Sequence, residues 1–273
     1  MTTPIEVRQN QRKLSDFLKQ IIKYRELLIV WTTREIKARY RQSALGFGWA
    51  LIQPIFQMVV ISIVFGNFLQ VPSEGIPYPV FAYVAILPWS LFAGSINSAV
   101  PSIMTNMELV TKIYFPREIL PLSSIMARLV DFAIASLVFV GLIIWYKIPI
   151  YPTLLYVPLL LVVQMILAVG VGLLGAAISV YLRDVSFAVP LAMQIWMYLT
   201  PVIYPLSEVP ENLRTLYLLN PMAGIINSYR QVVLKGEQPD LGVLGISAVL
   251  SLIFCCVSYL YFKRLEMAMA DII

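Results

Sequence analysis

Arg128 and Asp131 stand three residues apart inside the long apolar run Leu122–Tyr146. A charge in hydrocarbon costs about 2.5–3.5 kcal/mol on an insertion scale, so residues kept there call for a role. At this spacing they share a helix face and partly neutralise each other. That suits either a structural ion pair or a contact with a polar substrate, and it makes a poor proton relay. A second set is basic: Arg34, Lys37, Arg39 and Arg41 close the stretch Tyr24–Arg41, "YRELLIVWTTREIKARYR", where Leu27, Leu28, Trp31 and Ile36 interleave with charge. The pattern predicts an amphipathic helix on a membrane surface, its cations available to anionic headgroups, either as a plain anchor or as a substrate contact. Catalysis has little to work with. Histidine is absent, which removes the commonest general acid/base and metal ligand. Cys255 and Cys256 are adjacent within an apolar run, poorly placed for a disulfide, and read as small packing residues. Glu208, Glu211, Glu237 and Asp240 are scattered, without the paired carboxylates expected of a membrane glycosyltransferase or polymerase. No G-x-x-x-x-G-K-S/T phosphate loop occurs, so any use of ATP requires a separate chain. The expectation is a chain with no catalytic centre, cofactor or metal site of its own.

The elements that hold these residues are set by composition. The chain is 59% hydrophobic and 13% charged, with a mean hydropathy of +0.80. Soluble domains carry about 25% charged residues, so lipid must solvate much of this surface. A bilayer core of about 30 Å needs about 20 helical residues to cross it. Six segments qualify: Phe47–Gln70, Pro79–Val100, Leu122–Tyr146, Thr153–Tyr181, Val185–Tyr204 and Leu241–Phe262. Prolines within them (Pro54, Pro88, Pro158, Pro190, Pro201) predict kinks. The charge of +5 invites a nucleic-acid partner, but most Lys and Arg precede the first apolar run or fall in alternate connections. The positive-inside rule then puts both termini in the cytoplasm, which an even number of spans also requires. The polar stretch before the first span is too long for the n-region of a usual signal peptide, so no cleavable leader is expected. The expected division is a cytoplasmic N-terminal segment over 1–45, a six-span membrane domain over 46–263 and a cytoplasmic tail over 264–273.

Two connections are more than links. Pro101–Pro121 is too polar to span, yet Leu109, Val110, Ile113, Tyr114 and Phe115 make it sticky. It is expected to be a short cytoplasmic helix that docks on another protein or packs on its own bundle. Pro205–Asp240, on the outer side, holds two short apolar stretches split by Asn220-Pro221. Neither can cross, but each can dip into the outer leaflet if protein covers its backbone. Aromatic residues gather near the expected interfaces; Trp196 and Tyr198 lie deeper, as anchors, as packing, or as a lining against the C–H faces of sugars.

Four stretches resemble one family in its order along the chain. They are "REIKARYRQSALGFGWALIQP" (Arg34–Pro54), "LVTKIYFPREILPLS" (Leu109–Ser123), "YLRDVSFAVPLAMQIWMYLTPVIYP" (Tyr181–Pro205) and "LNPMAGIINSYRQVVL" (Leu219–Leu234). The chain resembles ABC-2 type permeases, in the branch exporting O-antigen and teichoic-acid polymers; the "KARYRQSALG" stretch is less like the capsule-export branch. The resemblance implies an all-α, six-span homodimer with two copies of a separate ABC ATPase, which would bind ATP and Mg. It implies a coupling helix over Glu108–Ile119, with Glu108, Leu109, Lys112, Tyr114, Phe115, Arg117 and Glu118 facing or supporting the ATPase. Arg34, Lys37, Arg39 and Arg41 would meet the pyrophosphate of an undecaprenyl-linked polysaccharide. The first and fifth spans would line the path, with Trp196 and Tyr198 as lining candidates, and two short helices would stand near the exit. The family also includes exporters of drugs and small lipids.

Overall fold

Tyr78–Ala99 (α4 in the order below) is mostly apolar and mostly buried, with Val80 to Ala85 almost inaccessible and the face of Ser90, Ala93, Gly94 and Asn97 partly open. A helix of that kind belongs at the centre of a bundle, and the rest of the chain wraps it. The computed structural model describes residues 14–41, 43–113 and 115–272; Tyr114 and the first 13 residues lie outside the described residues. In chain order the helices are α1 (Leu14–Lys23), α2 (Arg25–Tyr40), α3 (Gly48–Ile61), α4, α5 (Ser102–Thr105), α6 (Met107–Lys112), α7 (Ile119–Trp145), α8 (Val157–Tyr181), α9 (Asp184–Tyr198), α10 (Glu211–Leu218), α11 (Pro221–Arg230) and α12 (Leu241–Ile272). Wider π-type turns extend α3 through Ser62–Phe68 and α11 through Gln231–Lys235. The helices run on through Pro54, Pro88 and Pro190.

Among the described residues five helices are long and apolar enough to cross a membrane: Gly48–Phe68, Tyr78–Ala99, Ile119–Trp145, Pro152–Tyr181 and Leu241–Glu266. The chain is a multi-pass, all-α membrane protein. Lipid tails are as apolar as leucine, so these helices are held by close packing and not by a hydrophobic drive between them. The α8–α12 contact shows it: a Cβ on Gly170 would stand 2.9 Å from the Cys255 Cα, so only glycine lets the two backbones approach. Cys255 thus sits on that seam.

The expected fifth span differs from its sequence reading. Its helix, α9, has 15 residues, about 22 Å and short of the hydrocarbon core. The chain leaves α9 as irregular backbone whose carbonyls are capped from the side. The buried Arg230 guanidinium donates to the oxygens of Pro201 and Val202 at 2.7 Å and of Tyr204 at 2.9 Å, and the Tyr78 hydroxyl donates to Ile203 at 2.7 Å. Irregular backbone survives at this depth only when protein satisfies it. Arg230 reads from sequence as one charge of an outer loop; in the fold it closes the broken end of α9 and lies over the Phe81 ring at 3.9 Å.

The two ends of the bundle are distinguished by such ties. At one end, called the basic end below, Lys263 of α12 meets Glu118 before α7, and the Tyr181 hydroxyl donates to the Leu265 carbonyl. At the opposite end lie the α9 cap, the Lys235–Glu74 ion pair, and α11 almost wholly buried. In α2, at the basic end, Leu27 and Leu28 turn partly inward and Trp31 is buried, while Ile29 and Val30 are more than 60% exposed on other faces. The helix packs along the first half of α7, from Phe115 just before α7 to Asp131 within it. The last helix, α12, runs unbroken past Phe262, so no change of backbone marks the expected tail.

Arg230→Lys is expected to destabilise the protein by roughly 3 kcal/mol or more, because an ammonium cannot serve three carbonyls held by a planar fork. Thermal unfolding of the detergent-solubilised protein measures it, and an unchanged midpoint would refute the capping role.

Candidate functional site: a cleft between α3, α4, α7 and α9

A cleft of ≈ 740 Å³ opens between α3, α4, α7 and α9, within the ~300–1,000 Å³ common for ligand sites. Along α3 it is walled by Trp49, Gln53 and Gln57, and α9 contributes Gln194 and Met197. From α4 come Trp89, Ser90 and Asn97. Amides and indoles thus interrupt an otherwise largely apolar wall. Gln53 and Gln57 stand four apart on one face of α3; Gln57 donates to the Met197 sulfur at 3.4 Å, across to α9. The Asn97 side-chain oxygen accepts no hydrogen bond among the described residues. Uncharged amides within the spans were the sequence signal for this cleft, and reasoning from charges passed over them.

Charge collects at the basic end of the cleft. Asp131 accepts from Arg39 at 2.6 Å, from Arg128 at 3.3 Å and from the Tyr40 hydroxyl. Arg128 reaches across to Ser98, in the last turn of α4, at 2.9 and 2.6 Å. Helix α7 has 27 residues, about 40 Å and longer than the hydrocarbon is thick, so its first turns project beyond the level of Ser98. The pair expected inside the third span stands at the charged end of the cleft. The Tyr40 hydroxyl is pushed up to about 12, by burial first and by the neighbouring Asp131 second.

The other predicted residues separate. Of the four candidate cations only Arg39 lines the cleft. Arg34 donates to Asn106 at 3.1 Å and stacks over Trp31 at 4.4 Å, while Lys37 and Arg41 are exposed. Trp196 is half-buried, edge-on to Phe92 with centroids 5.2 Å apart, and donates to Asn220; Tyr198 is exposed. Both lie off the cleft wall, whose indoles are Trp49 and Trp89.

The segment between α4 and α7 divides into an exposed tip and a buried base. Glu108 and Lys112 pair loosely at 3.8 Å, both largely exposed, and Ile113 is exposed beside them; Leu109 is half-buried. Below them Phe115 stacks on Trp31 with centroids 6.2 Å apart. Arg117 donates to the Glu266 carbonyl at 3.0 Å. Glu118 is buried and accepts from Lys263 at 2.7 Å, and Lys263 also reaches Glu266 at 2.8 Å. Burial holds the Glu118 carboxyl above the usual range, with Lys263 opposing the shift and Glu266 adding to it.

The ABC-2 type transporter family matches residues 26–234. The chain belongs to the ABC-2 type transporter family. It is 32% identical over 254 residues to an "O-antigen export system permease protein RfbA" from Myxococcus xanthus, covering 91% of this chain and 96% of that one. A Klebsiella pneumoniae protein of the same name is 28% identical over 251 residues, covering 91% and 95%. The "Polysialic acid transport protein KpsM" of Escherichia coli is 22% identical over 244 residues, covering 86% and 92%. The matched span of this ABC-2 chain takes in α3, α4, α7 and α9, hence every wall of the cleft.

Lys263→Met leaves the buried Glu118 without its cation, and should cost about 3–5 kcal/mol. Glu118→Gln should cost far less, since Lys263 keeps Glu266. Unfolding midpoints of the two variants test the order; the reverse order would disprove the assigned roles.

Proposed function

We propose that this ABC-2 permease is the membrane half of an ATP-driven exporter carrying undecaprenyl-linked polysaccharide, an O-antigen or similar polymer, across the bacterial cytoplasmic membrane. The observation that carries the reading is the cleft: amides for sugar hydroxyls, indoles for sugar faces, and arginines at the end nearest the basic segments. The names of the relatives at 28–32% identity support O-antigen over capsule, whose named transporters stand at 22%. Teichoic acid shares the carrier chemistry and is the second reading.

The permease works as a homodimer with two copies of an ABC ATPase that bind ATP and Mg. Support for the dimer comes from α9, which buries only Met193 in its own chain and exposes Phe187, Leu191, Ile195 and Tyr198. The exposed tip of Glu108, Lys112 and Ile113 receives the ATPase, and the buried base passes its motion to α7 and α12 through Glu118 and Lys263. Both termini stand on the cytoplasmic side, consistent with the basic end. ATP closure of the partner subunits moves the tips, opens the seam beside the two clefts, and admits headgroup and sugars while the lipid tail stays in the bilayer.

Glu108→Arg with Ile113→Asp should abolish co-purification of the ATPase while membrane insertion is kept; retained co-purification would count against the tip. In reconstituted vesicles, translocation of a lipid-linked glycan should stop when the ATPase is omitted. Transport that persisted would overturn the ATP-driven reading, and transport of lipids without glycan in its place would overturn the polymer.

A further inference from the structure

Three ionised groups meet at one end of the cleft: Arg39 at the end of α2, and Arg128 and Asp131 on α7. Their side chains are 21%, 27% and 17% exposed, so all three remain within reach of a solute in the cleft. Two guanidinium forks share one carboxylate, which leaves an excess of +1 in a partly dry site. Arg128 spends two of its donors on Ser98, a single neutral oxygen. Guanidinium forks match paired oxyanions best, so this cluster can hold more anionic oxygen than Asp131 supplies.

The same contact fixes a lever. Arg39 and Tyr40 are the last residues of α2, and the Tyr40 ring packs on Phe47, at the start of α3, with centroids 4.3 Å apart. Earlier on α2, Arg34 bonds Asn106 and Trp31 stacks on Phe115, both in the segment between α4 and α7. Helix α2 therefore joins the charged end of the cleft, through its last residues, to the residues that flank the docking tip, through its middle.

We propose that Asp131 is a built-in counter-anion that occupies the arginine site at rest, and that a diphosphate group on the lipid-linked substrate displaces it, freeing the end of α2 from α7. The inference rests on the exporter reading and adds a substrate-released latch to it. The displaced contact is an exchange of ionic partners: Arg39 and Arg128 pass from one carboxylate to diphosphate oxygens, and no covalent bond changes. Release at the cleft shifts α2, and with it the seat of Arg34 and Trp31 against the docking segment, so a loaded site is signalled to the ATPase.

The sign of one substitution separates a competitor from a support. In the permease–ATPase complex in lipid nanodiscs, Asp131→Asn should bind undecaprenyl diphosphate about fivefold to tenfold more tightly than wild type, the size of one partly exposed charge pair. Arg128→Gln should weaken binding, and Asp131→Glu should match wild type. Weaker or unchanged binding by Asp131→Asn would overturn the latch, because a carboxylate that merely positions the arginines gives that result. A second measurement leaves the cluster intact: spin labels at Ala38→Cys and Met126→Cys, with Cys255 and Cys256 replaced by serine. Their separation should lengthen with undecaprenyl diphosphate and stay fixed with undecaprenol. Lengthening with inorganic pyrophosphate as well assigns recognition to the diphosphate alone, and lengthening with the lipid only assigns it to headgroup and tail together; both support the latch. A distance that ignores every probe, in a wild-type complex that still exports glycan, refutes the latch and leaves the exporter standing. A complex that exports no glycan refutes the exporter itself.

Discussion

Hydrocarbon offers no partner to a stray backbone group or an isolated charge, so each departure from plain apolar helix in this chain must be answered from within. Three answers shape the molecule. At the end away from the basic segments, Arg230 and Tyr78 accept the burden of four consecutive carbonyls and allow α9 to stop short. At the basic end, Lys263 bridges Glu118 and Glu266 and binds the base of α7 to α12. At the charged end of the cleft, Asp131 holds two arginines from different helices. Each is a polar tie that spans elements far apart in sequence, and each is worth more for the low dielectric around it.

Those ties are unevenly spread, and the unevenness suits a transporter. Helices α4, α8 and α12 are closely packed, with glycine contacts that leave no room for sliding. Helix α9 has one buried residue along its length and is anchored mainly past its end. Helix α2 packs along α7 and is tied further through Trp31 and Arg34 near its middle and Arg39 and Tyr40 at its end. A rigid centre flanked by one sparsely packed element, α9, provides a hinge, since local motion follows low contact density. The walls of the cleft include one rigid helix, α4, and one loosely held helix, α9.

Apolar run length, the crowding of Lys and Arg into particular connections and the missing phosphate loop were all legible in the residues, because each depends on local composition. They determined a multi-pass helical chain, and they pointed towards an orientation and an engine on a separate chain. Motif order further pointed to the family. Pairing in space was not legible. Nothing in the order of residues says that Arg39, 92 positions from Asp131, is the one cation of its run to reach the cleft. The same holds for Arg230, which as a letter is an outer-loop charge and in the fold ends a helix. Tertiary structure decided these, because a buried charge is stable only beside a partner, and which partners meet depends on how long helices cross.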